Sequence, residues 1–427
     1  MDALVLLGSL CVLIAIGVPV AYALGLSALI GAFWIDLPLD AVIIQIASGV
    51  NKFSLLAIPF FVLAGAIMAE GGLAHRLVAF AAVFVGFIRG GLSLVNILAS
   101  TFFGAISGSS VADTASVGTV LIPEMEKKGY PRPFATAVTV AGSVQAILIP
   151  PSHNAVIYSL AAGGSVSIAS LFLAGVVPGL LLGFTVASIC FYTAYRKDYP
   201  KGEVVPFRQA LKIAGEAVWG LMTMVIILGG ILSGVFTATE SAAVACVWAF
   251  FVTMFIYRDY KWRDLPKLVH RVVKTVTIVM ILIGFAASFG YLMTLIQLPD
   301  QVTAFFTSIS DNKYVIMICI NIMLLLLGTL MDMAPLILIL TPILLPVVQE
   351  LGMHPVHFGM MMMVNLGMGL ITPPVGSVLF VGSAIAKLPL ETVTKALFPF
   401  FIALLVVLLL VTFIPGLSLW FPALFGL

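Results

Sequence analysis

The sequence predicts an all-α polytopic membrane protein that consists of two inverted repeats. Three features support this prediction: the composition, the distribution of the basic residues and a motif that occurs twice. Of the 427 residues, 62% are hydrophobic and 9% are charged, with a mean hydropathy of +1.21. Soluble domains contain about 25% charged residues, and a chain this apolar has too few polar side chains to cover a water-exposed surface. A soluble enzyme is therefore excluded.

The basic residues indicate how the chain is oriented in the membrane. Residues 196–212 and 258–274 together contain 11 of the 20 Lys and Arg side chains. Loops rich in these residues stay in the cytoplasm, so both segments are predicted to be cytoplasmic. The first of them, residues 196–212, is also predicted as the linker between the two halves. The net charge of +2 gives no extended basic surface, and nucleic acid is not a predicted partner.

A Pro–Pro motif marks the internal repeat. Pro150-Pro151 recurs as Pro373-Pro374, 223 residues later (373 − 150). The same offset relates two further pairs of residues, Pro123 with Pro346 and Gly129 with Gly352. Residues 1–195 and 213–427 are therefore predicted to be two copies of one unit, with chance similarity between apolar segments as the alternative.

The charges beside two interrupted segments predict that the copies are inverted. In each copy a cluster of Gly and polar residues breaks an apolar run, which predicts a re-entrant helical hairpin at residues 90–126 and at residues 313–350. Five basic residues flank the first hairpin, whereas Lys313 alone flanks the second, with the acidic Asp311 and Glu350. The first hairpin is thus predicted to enter from the cytoplasm and the second from outside. Inverted repeats with interrupted segments are typical of secondary transporters, whose sites lie near the middle of the membrane.

The hairpin tips and the Pro–Pro motifs are the predicted binding elements. Unwound backbone persists inside a membrane where it lines a cavity or binds a ligand, because its polar groups need partners. The tips are predicted at Ser107–Ser110 and Gly328–Asp332. The prolines at 150–151 and 373–374 break their helices and free carbonyl groups one turn upstream; the alternative is that they merely kink packed helices. Residues 40–52 and 263–275 are predicted as amphipathic arm helices at the membrane surface, in contact with lipid.

Titratable side chains near the tips leave two interpretations. Asp113 and Asp332 are intramembrane carboxylates, which favours a function because a charge inside a membrane is costly; capping of the returning half-helix is the alternative. His153 follows the first Pro–Pro break and is interpreted as a hydrogen-bonded structural residue rather than a proton relay or substrate contact. The sequence has no His/Glu metal-ligand spacing, nucleotide-binding glycine loop or catalytic nucleophile motif. Neither an enzyme nor a cofactor is therefore predicted.

Several motifs together resemble one family. The segment Gly104–Thr114 reads GAISGSSVADT and is similar to the first hairpin of the large membrane subunit of the tripartite ATP-independent periplasmic (TRAP) transporters, the DctM family. Other signatures of that family resemble three further segments of this chain, Leu56–Phe61 (LAIPFF), Ile147–Ser152 (ILIPPS) and Gly369–Gly376 (GLITPPVG). The likeness covers essentially the whole chain.

The resemblance implies an elevator-type fold shared with divalent-anion/Na⁺ symporters. It further implies Na⁺-driven uptake of an organic acid across a bacterial inner membrane, with Na⁺ as the coupling ion. Two partners are implied: a small four-helix membrane subunit, expected as a separate polypeptide, and a periplasmic substrate-binding protein. Sialic acid and C4-dicarboxylates are both expected as cargo classes. The alternative is a stand-alone Na⁺/dicarboxylate symporter that needs no binding protein.

The resemblance also implies where the ions and the cargo bind. One Na⁺ is expected at the first tip and break, among Ser107, Gly108, Ser109, Ser110, Ile149 and Ser152. The second is expected at the other tip and break, among Gly328, Thr329, Met331, Gly369, Thr372 and Val375. The organic acid is expected between them, near Ser110, Asn154 and Ser377, with the acids Asp113 and Asp332 as further candidates. Divalent-anion symporters carry Ser-Asn-Thr at such tips, where this chain has Ser109-Ser110-Val111.

Overall fold

The computed structural model describes residues 1–310 and 312–427, and within these residues the chain forms helices and no β-strand. Asp311, which the charge pattern places beside the second hairpin, lies outside the described residues. The helical content follows from the composition, since backbone groups in lipid must find hydrogen-bond partners within their own segment.

The first half of the chain contains ten α-helices. They are α1 (Asp2–Ala15), α2 (Val20–Trp34), α3 (Leu39–Val50), α4 (Ala57–Glu70), α5 (Leu73–Val85), α6 (Gly91–Ser107), α7 (Ser110–Lys127), α8 (Arg132–Ser143), α9 (His153–Ala161) and α10 (Ile168–Arg196). Two 3-10 turns extend this set, one before α4 at Phe53–Leu56 and one after α8 at Val144–Ile147.

The second half of the chain, in its described part, also contains ten α-helices. They are α11 (Phe207–Leu232), α12 (Ala238–Phe251), α13 (Leu265–Leu295), α14 (Leu298–Ile309), α15 (Lys313–Gly328), α16 (Met333–Glu350), α17 (Pro355–Gly369), α18 (Ser377–Ala386), α19 (Leu390–Phe413) and α20 (Gly416–Leu424). A π-helical turn at Val252–Tyr257 extends α12, and a 3-10 turn at Trp262–Asp264 precedes α13.

Several of these helices are long enough to cross a membrane. Among the residues that the structure describes, seven helices have both the length and the apolar character for a span. They are α4 with its 3-10 turn, α10, α11, α12 with its π turn, α13 with its 3-10 turn, α16 and α19. A bilayer core needs about 20 apolar residues per helix. The chain is therefore a multi-pass, all-α membrane protein, as the composition predicts.

The two halves have matching helix positions. Helix α16 starts 223 residues after α7 (333 − 110), and α17 starts 223 residues after α8 (355 − 132). Their packing partners also correspond between the halves. Helix α7 packs on α18, and its counterpart α16 packs on α9. Helix α8 packs on α19, and its counterpart α17 packs on α10. Helices of the first half are thus interleaved with helices of the second half.

Of the two segments predicted as arm helices, one forms a separate helix and the other is part of a longer helix. Residues 40–52 fall largely in the separate helix α3, which lies against α13, with Gly49 beside Ala287. Most of residues 263–275 instead belong to the first part of the 31-residue helix α13. Pro266 sits in the first turn of that helix, where proline is tolerated, and no later proline interrupts it.

The segment predicted as a linker is shorter than residues 196–212. Helix α10 ends at Arg196 and α11 begins at Phe207, which leaves residues 197–206 outside the helices. This stretch is attached to the base of the first hairpin. Asp198 forms an ion pair with Arg89, and the Gly90 N–H donates to the Pro200 carbonyl at 3.1 Å.

Candidate functional site

The first hairpin turns within two residues. Helix α6 ends at Ser107, Gly108 has a φ of +61°, and Ser109 is extended and precedes α7. The Ser109 hydroxyl accepts a hydrogen bond from the Ala112 N–H at 3.4 Å and so caps α7. The tip touches the break between α8 and α9, since a Cβ on Gly108 would lie 2.4 Å from the carbonyl oxygen of Pro151. Glycine is thus required here both by the backbone conformation and by the lack of space.

The break beside this tip leaves oxygen atoms without partners. Residues 148–152 lie between the 3-10 turn and α9, and neither Pro150 nor Pro151 has an N–H to donate. Within the described residues, no backbone N–H donates to the Ile149 carbonyl. The Ser152 hydroxyl is buried and likewise lacks a hydrogen-bond partner there. Unwound carbonyls and hydroxyls of this kind can coordinate a dehydrated Na⁺.

Three glycines of α10 allow the break to approach closely. Gly175, Gly179 and Gly183 are spaced by four residues and lie on one face of the helix. A Cβ on Gly175 would lie 2.0 Å from the Leu148 carbonyl oxygen. A Cβ on Gly179 would lie 2.8 Å from the Ile149 side chain, and one on Gly183 would lie 2.3 Å from the Gln145 amide oxygen. These glycines were not predicted as part of the site, although the small-xxx-small spacing is a known signal for close helix packing in membranes.

The predicted substrate residues of the first half have different surroundings. Ser110 donates its hydroxyl to the Ser143 carbonyl at 2.8 Å, which attaches the hairpin to the end of α8. Asn154 is buried in the first turn of α9. Asp113 is fully buried in the first turn of α7, with Ser100 of α6 beside it. Neither of its carboxylate oxygens has a hydrogen-bond partner of good geometry among the residues described, and Asp113 lies inside the hairpin rather than at its tip.

The second hairpin also touches a broken helix. Helix α15 ends at Gly328, residues 329–332 form the turn, and α16 begins at Met333. Gly328 lies against Gly369 at the end of α17, where an added Cβ would be 2.6 Å from the Gly328 carbonyl oxygen. The Val375 N–H donates to the Thr329 carbonyl at 3.1 Å. The structure thus brings this tip and this break together, as it does in the first half.

The second break is more open and has more of its carbonyls paired. The Thr372 hydroxyl donates to the Met368 carbonyl at 2.6 Å, and the Thr372 carbonyl accepts from the Gly376 N–H at 3.2 Å. Pro373, Pro374 and Val375 are exposed, whereas Pro151 and Ser152 are buried. The Thr372 hydroxyl oxygen retains lone pairs for a ligand after it donates its proton.

Polar side chains lie near both tips. Asp332 and Ser377 lie together, with 3.4 Å between the Ser377 hydroxyl and one Asp332 carboxylate oxygen. His153, at the start of α9, lies beside the Gly108 carbonyl and within electrostatic range of Asp332. From the sequence, His153 is interpreted as a structural residue. Its proximity to Asp332 was not visible in the sequence, since the two residues are far apart along the chain.

These features define the class of the protein. Interrupted helices that meet inside a multi-pass helical chain are typical of membrane transport proteins. Residues 7–417 match the family described as the tripartite ATP-independent periplasmic transporter, DctM component. The chain belongs to this DctM family of transporter subunits, as its motifs predict.

Similar proteins of several organisms cover nearly all of the chain. Protein YgiK of Salmonella typhimurium is 45% identical over 99% of this chain and 98% of its own length. The C4-dicarboxylate TRAP transporter large permease protein DctM of Rhodobacter capsulatus is 38% identical over the full length of both chains. The sialic acid TRAP transporter large permease protein SiaM of Vibrio cholerae is 38% identical over 89% of each.

Solved structures with a similar fold include another transporter. The YdaH transporter of Alcanivorax borkumensis superimposes with a TM-score of 0.62, covering 92% of this chain and 90% of that one. The sequence identity is 14%, so this likeness concerns the fold alone.

Proposed function

We propose that the chain is the large transport subunit of a Na⁺-coupled TRAP transporter that takes up an organic acid across a bacterial inner membrane. A periplasmic binding protein delivers the acid, and a small four-helix membrane subunit completes the complex. The observation that carries this proposal is the contact between each hairpin tip and a Pro–Pro break. The proposed cargo is a C4-dicarboxylate or a sialic acid, which is supported by relatives that are named for these two cargoes and are each 38% identical to the chain.

The proposal includes two inverted repeats. It is supported by the 223-residue offset of α7 and α8 from α16 and α17, and by the packing that recurs when the halves are exchanged. The surplus of Lys and Arg beside the first hairpin supports opposite orientations in the membrane.

The proposed Na⁺ sites lie where tips and breaks meet. In the first site the Ile149 carbonyl and the Ser152 hydroxyl hold the ion together with Ser107–Ser110. Their lack of other partners in the described structure supports this assignment. In the second site Gly328, Thr329, Met331, Gly369, Thr372 and Val375 hold the ion, which is supported by the hydrogen bond between Thr329 and Val375.

The organic acid is proposed to bind between the two ion sites. Helices α9 and α18 both begin there, and the positive ends of helix dipoles attract a carboxylate. Asn154 and Ser377 lie in the first turns of these helices. Asp332 accepts hydrogen bonds from hydroxyl groups of the cargo, and the ions on either side offset its negative charge. Asp113 lies inside the hairpin, behind the tip, and is proposed as a further residue of the cargo site.

Exposure supports an arrangement that is open to the cytoplasm. Along α7 the side chains of Val111, Ala115 and Thr119 are exposed, whereas the matching positions 334, 338 and 342 of α16 are buried or half-buried. Helix α7 runs from the tip toward Lys127, on the predicted cytoplasmic side. An elevator movement of the hairpin-bearing helices against the arm-bearing helices would open the other side.

Reconstitution tests this function against the stand-alone symporter. The chain is placed in liposomes with or without the small subunit and the binding protein, and uptake of radiolabelled C4-dicarboxylate and sialic acid is measured under an inward Na⁺ gradient. We expect uptake that requires all three components and the Na⁺ gradient. Uptake by the isolated chain from free substrate would contradict the tripartite assignment, and uptake without Na⁺ would contradict the coupling ion.

A further inference from the structure

A cavity lies far from the hairpin tips. It has a volume of about 410 Å³ and lies between the first turns of α8 and α19 and the last turns of α10. Phe134, Ile189, Pro399 and Phe400 form apolar parts of its wall. The first turn of α8 is about 20 Å from the first Pro–Pro break at 1.5 Å per helical residue, so this cavity is separate from the transport site.

Three cationic side chains converge at the rim of this cavity. They are Arg196 and Lys197 at the end of α10 and Lys395 in α19. The ion pairs found within residues 1–310 and 312–427 involve none of the three. The Arg196 guanidinium lies 5.8 Å from the centre of the Tyr192 ring, which holds it at the cavity. Three unpaired positive charges close together repel one another, and a bound anion would offset this repulsion.

The position of the cavity in the membrane indicates where its anion comes from. Helices α10 and α19 both have the length and character of spans, and their basic ends mark the cytoplasmic surface. Phe191, Tyr192, Tyr195 and Phe398 are large exposed aromatic side chains on the same two helix ends. Aromatic residues of this kind concentrate at the level of the lipid headgroups. The cavity therefore opens at headgroup depth and has an apolar wall below a cationic rim.

We propose that this cavity binds an anionic phospholipid of the cytoplasmic leaflet. The phosphate lies against Arg196, Lys197 and Lys395, and the upper part of an acyl chain covers Phe134 and Phe400. Free phosphate would use the cationic rim but leave the apolar wall uncovered, whereas a phospholipid fits both. Because α8, α10 and α19 pack on one another, the bound lipid contacts α8, the helix that leads to the first break.

Native mass spectrometry of the purified transporter tests this proposal. Retention of phosphatidylglycerol is compared with retention of the zwitterionic phosphatidylethanolamine for the parent chain and two charge variants. The first, R196Q/K197Q/K395Q, removes the cationic rim. The matched control, K201Q/R208Q/K212Q, removes three cytoplasmic charges from the segment after α10, outside the cavity lining. We expect at least about tenfold weaker phosphatidylglycerol retention in the first variant and no change in the control.

A further variant tests the proposal independently, in case the charge variant misfolds. Ala396→Trp fills the cavity while all three cations remain, and it is also expected to lose the lipid. Equal lipid loss in the rim and control variants would show a general charge effect and would overturn the proposal, as would full retention in Ala396→Trp. Displacement of bound phosphatidylglycerol by millimolar inorganic phosphate would also overturn it, because the site would then recognise phosphate alone.

Discussion

Gly108 and Pro151 are both buried and in contact, and a single added Cβ on Gly108 would approach the Pro151 carbonyl oxygen to 2.4 Å. This contact joins the tip of the first hairpin to the break between α8 and α9. The proposed coupling between an ion at the tip and cargo at the start of α9 requires such a contact between the two elements.

Gly108→Ala is expected to abolish Na⁺-driven uptake. The new methyl group would separate the tip from the break, and the φ of +61° also disfavours alanine. Gly129→Ala is the matched control, because Gly129 has a φ of +88° with no atom near its missing Cβ. The measurement is uptake of labelled organic acid by liposomes with equal amounts of each protein. Equal losses in both variants would show that backbone strain, rather than contact with the break, causes the effect.

Ser152→Ala is expected to raise the Na⁺ concentration needed for half-maximal uptake about tenfold. The variant removes a buried hydroxyl that has no protein partner in the described structure, so its cost should fall on the ion rather than on folding. Ser188→Ala serves as the control, since the Ser188 hydroxyl on α10 is exposed and donates to the Phe184 carbonyl. An unchanged Na⁺ dependence in Ser152→Ala would remove this residue from the first ion site.

Asp332→Asn is expected to raise KM for the cargo several-fold while it changes the Na⁺ dependence little. The carboxylate lies beside Ser377 and near His153, in the proposed cargo site rather than among the ion ligands. Asp300→Asn, at an exposed position of α14, is the control. Uptake kinetics at several Na⁺ concentrations separate the two effects. A shift in the Na⁺ dependence with an unchanged KM would place Asp332 in an ion site instead.

Gly175→Ala is expected to destabilise the protein, because its Cβ would lie 2.0 Å from the Leu148 carbonyl oxygen. Gly229→Ala in α11 meets no atom within 4 Å and should be neutral or stabilising by up to about 1 kcal/mol. Thermal unfolding in detergent measures both variants. A Tm for Gly175→Ala equal to that of the parent would show that α10 and the break can separate without cost.

The exposure of α7 predicts a pattern of chemical labelling. In a variant that lacks the four natural cysteines, Ala115→Cys should react with a membrane-impermeant maleimide applied from the cytoplasmic side. Leu338→Cys, at the matching position of α16, should react poorly from either side because Leu338 is buried. Labelling of Ala115→Cys from the periplasmic side alone would reverse the proposed orientation.

The backbone properties of glycine and proline explain why much of the candidate site could be predicted from the sequence. Glycine tolerates the left-handed conformation that ends α6, and proline cannot donate the hydrogen bond that would continue α8. These are properties of single residues and their neighbours, so Gly108 and Pro150-Pro151 carry a signal without any tertiary contact. The amphipathic pattern of residues 263–275 predicts a helix there but does not mark where that helix ends, and the absence of a later breaker lets α13 run on to Leu295.

By itself the sequence determined that the chain is a multi-pass helical membrane protein and which family it resembles, because composition and short motifs are local properties. Only the tertiary structure decided that Asp113 is enclosed in its hairpin while Asp332 meets Ser377, and that Gly175 lies against Leu148. It also decided that Arg196 and Lys395 share one cavity, although they are distant along the chain. Such pairings depend on how all the helices pack together at once, and no single segment of the sequence encodes that.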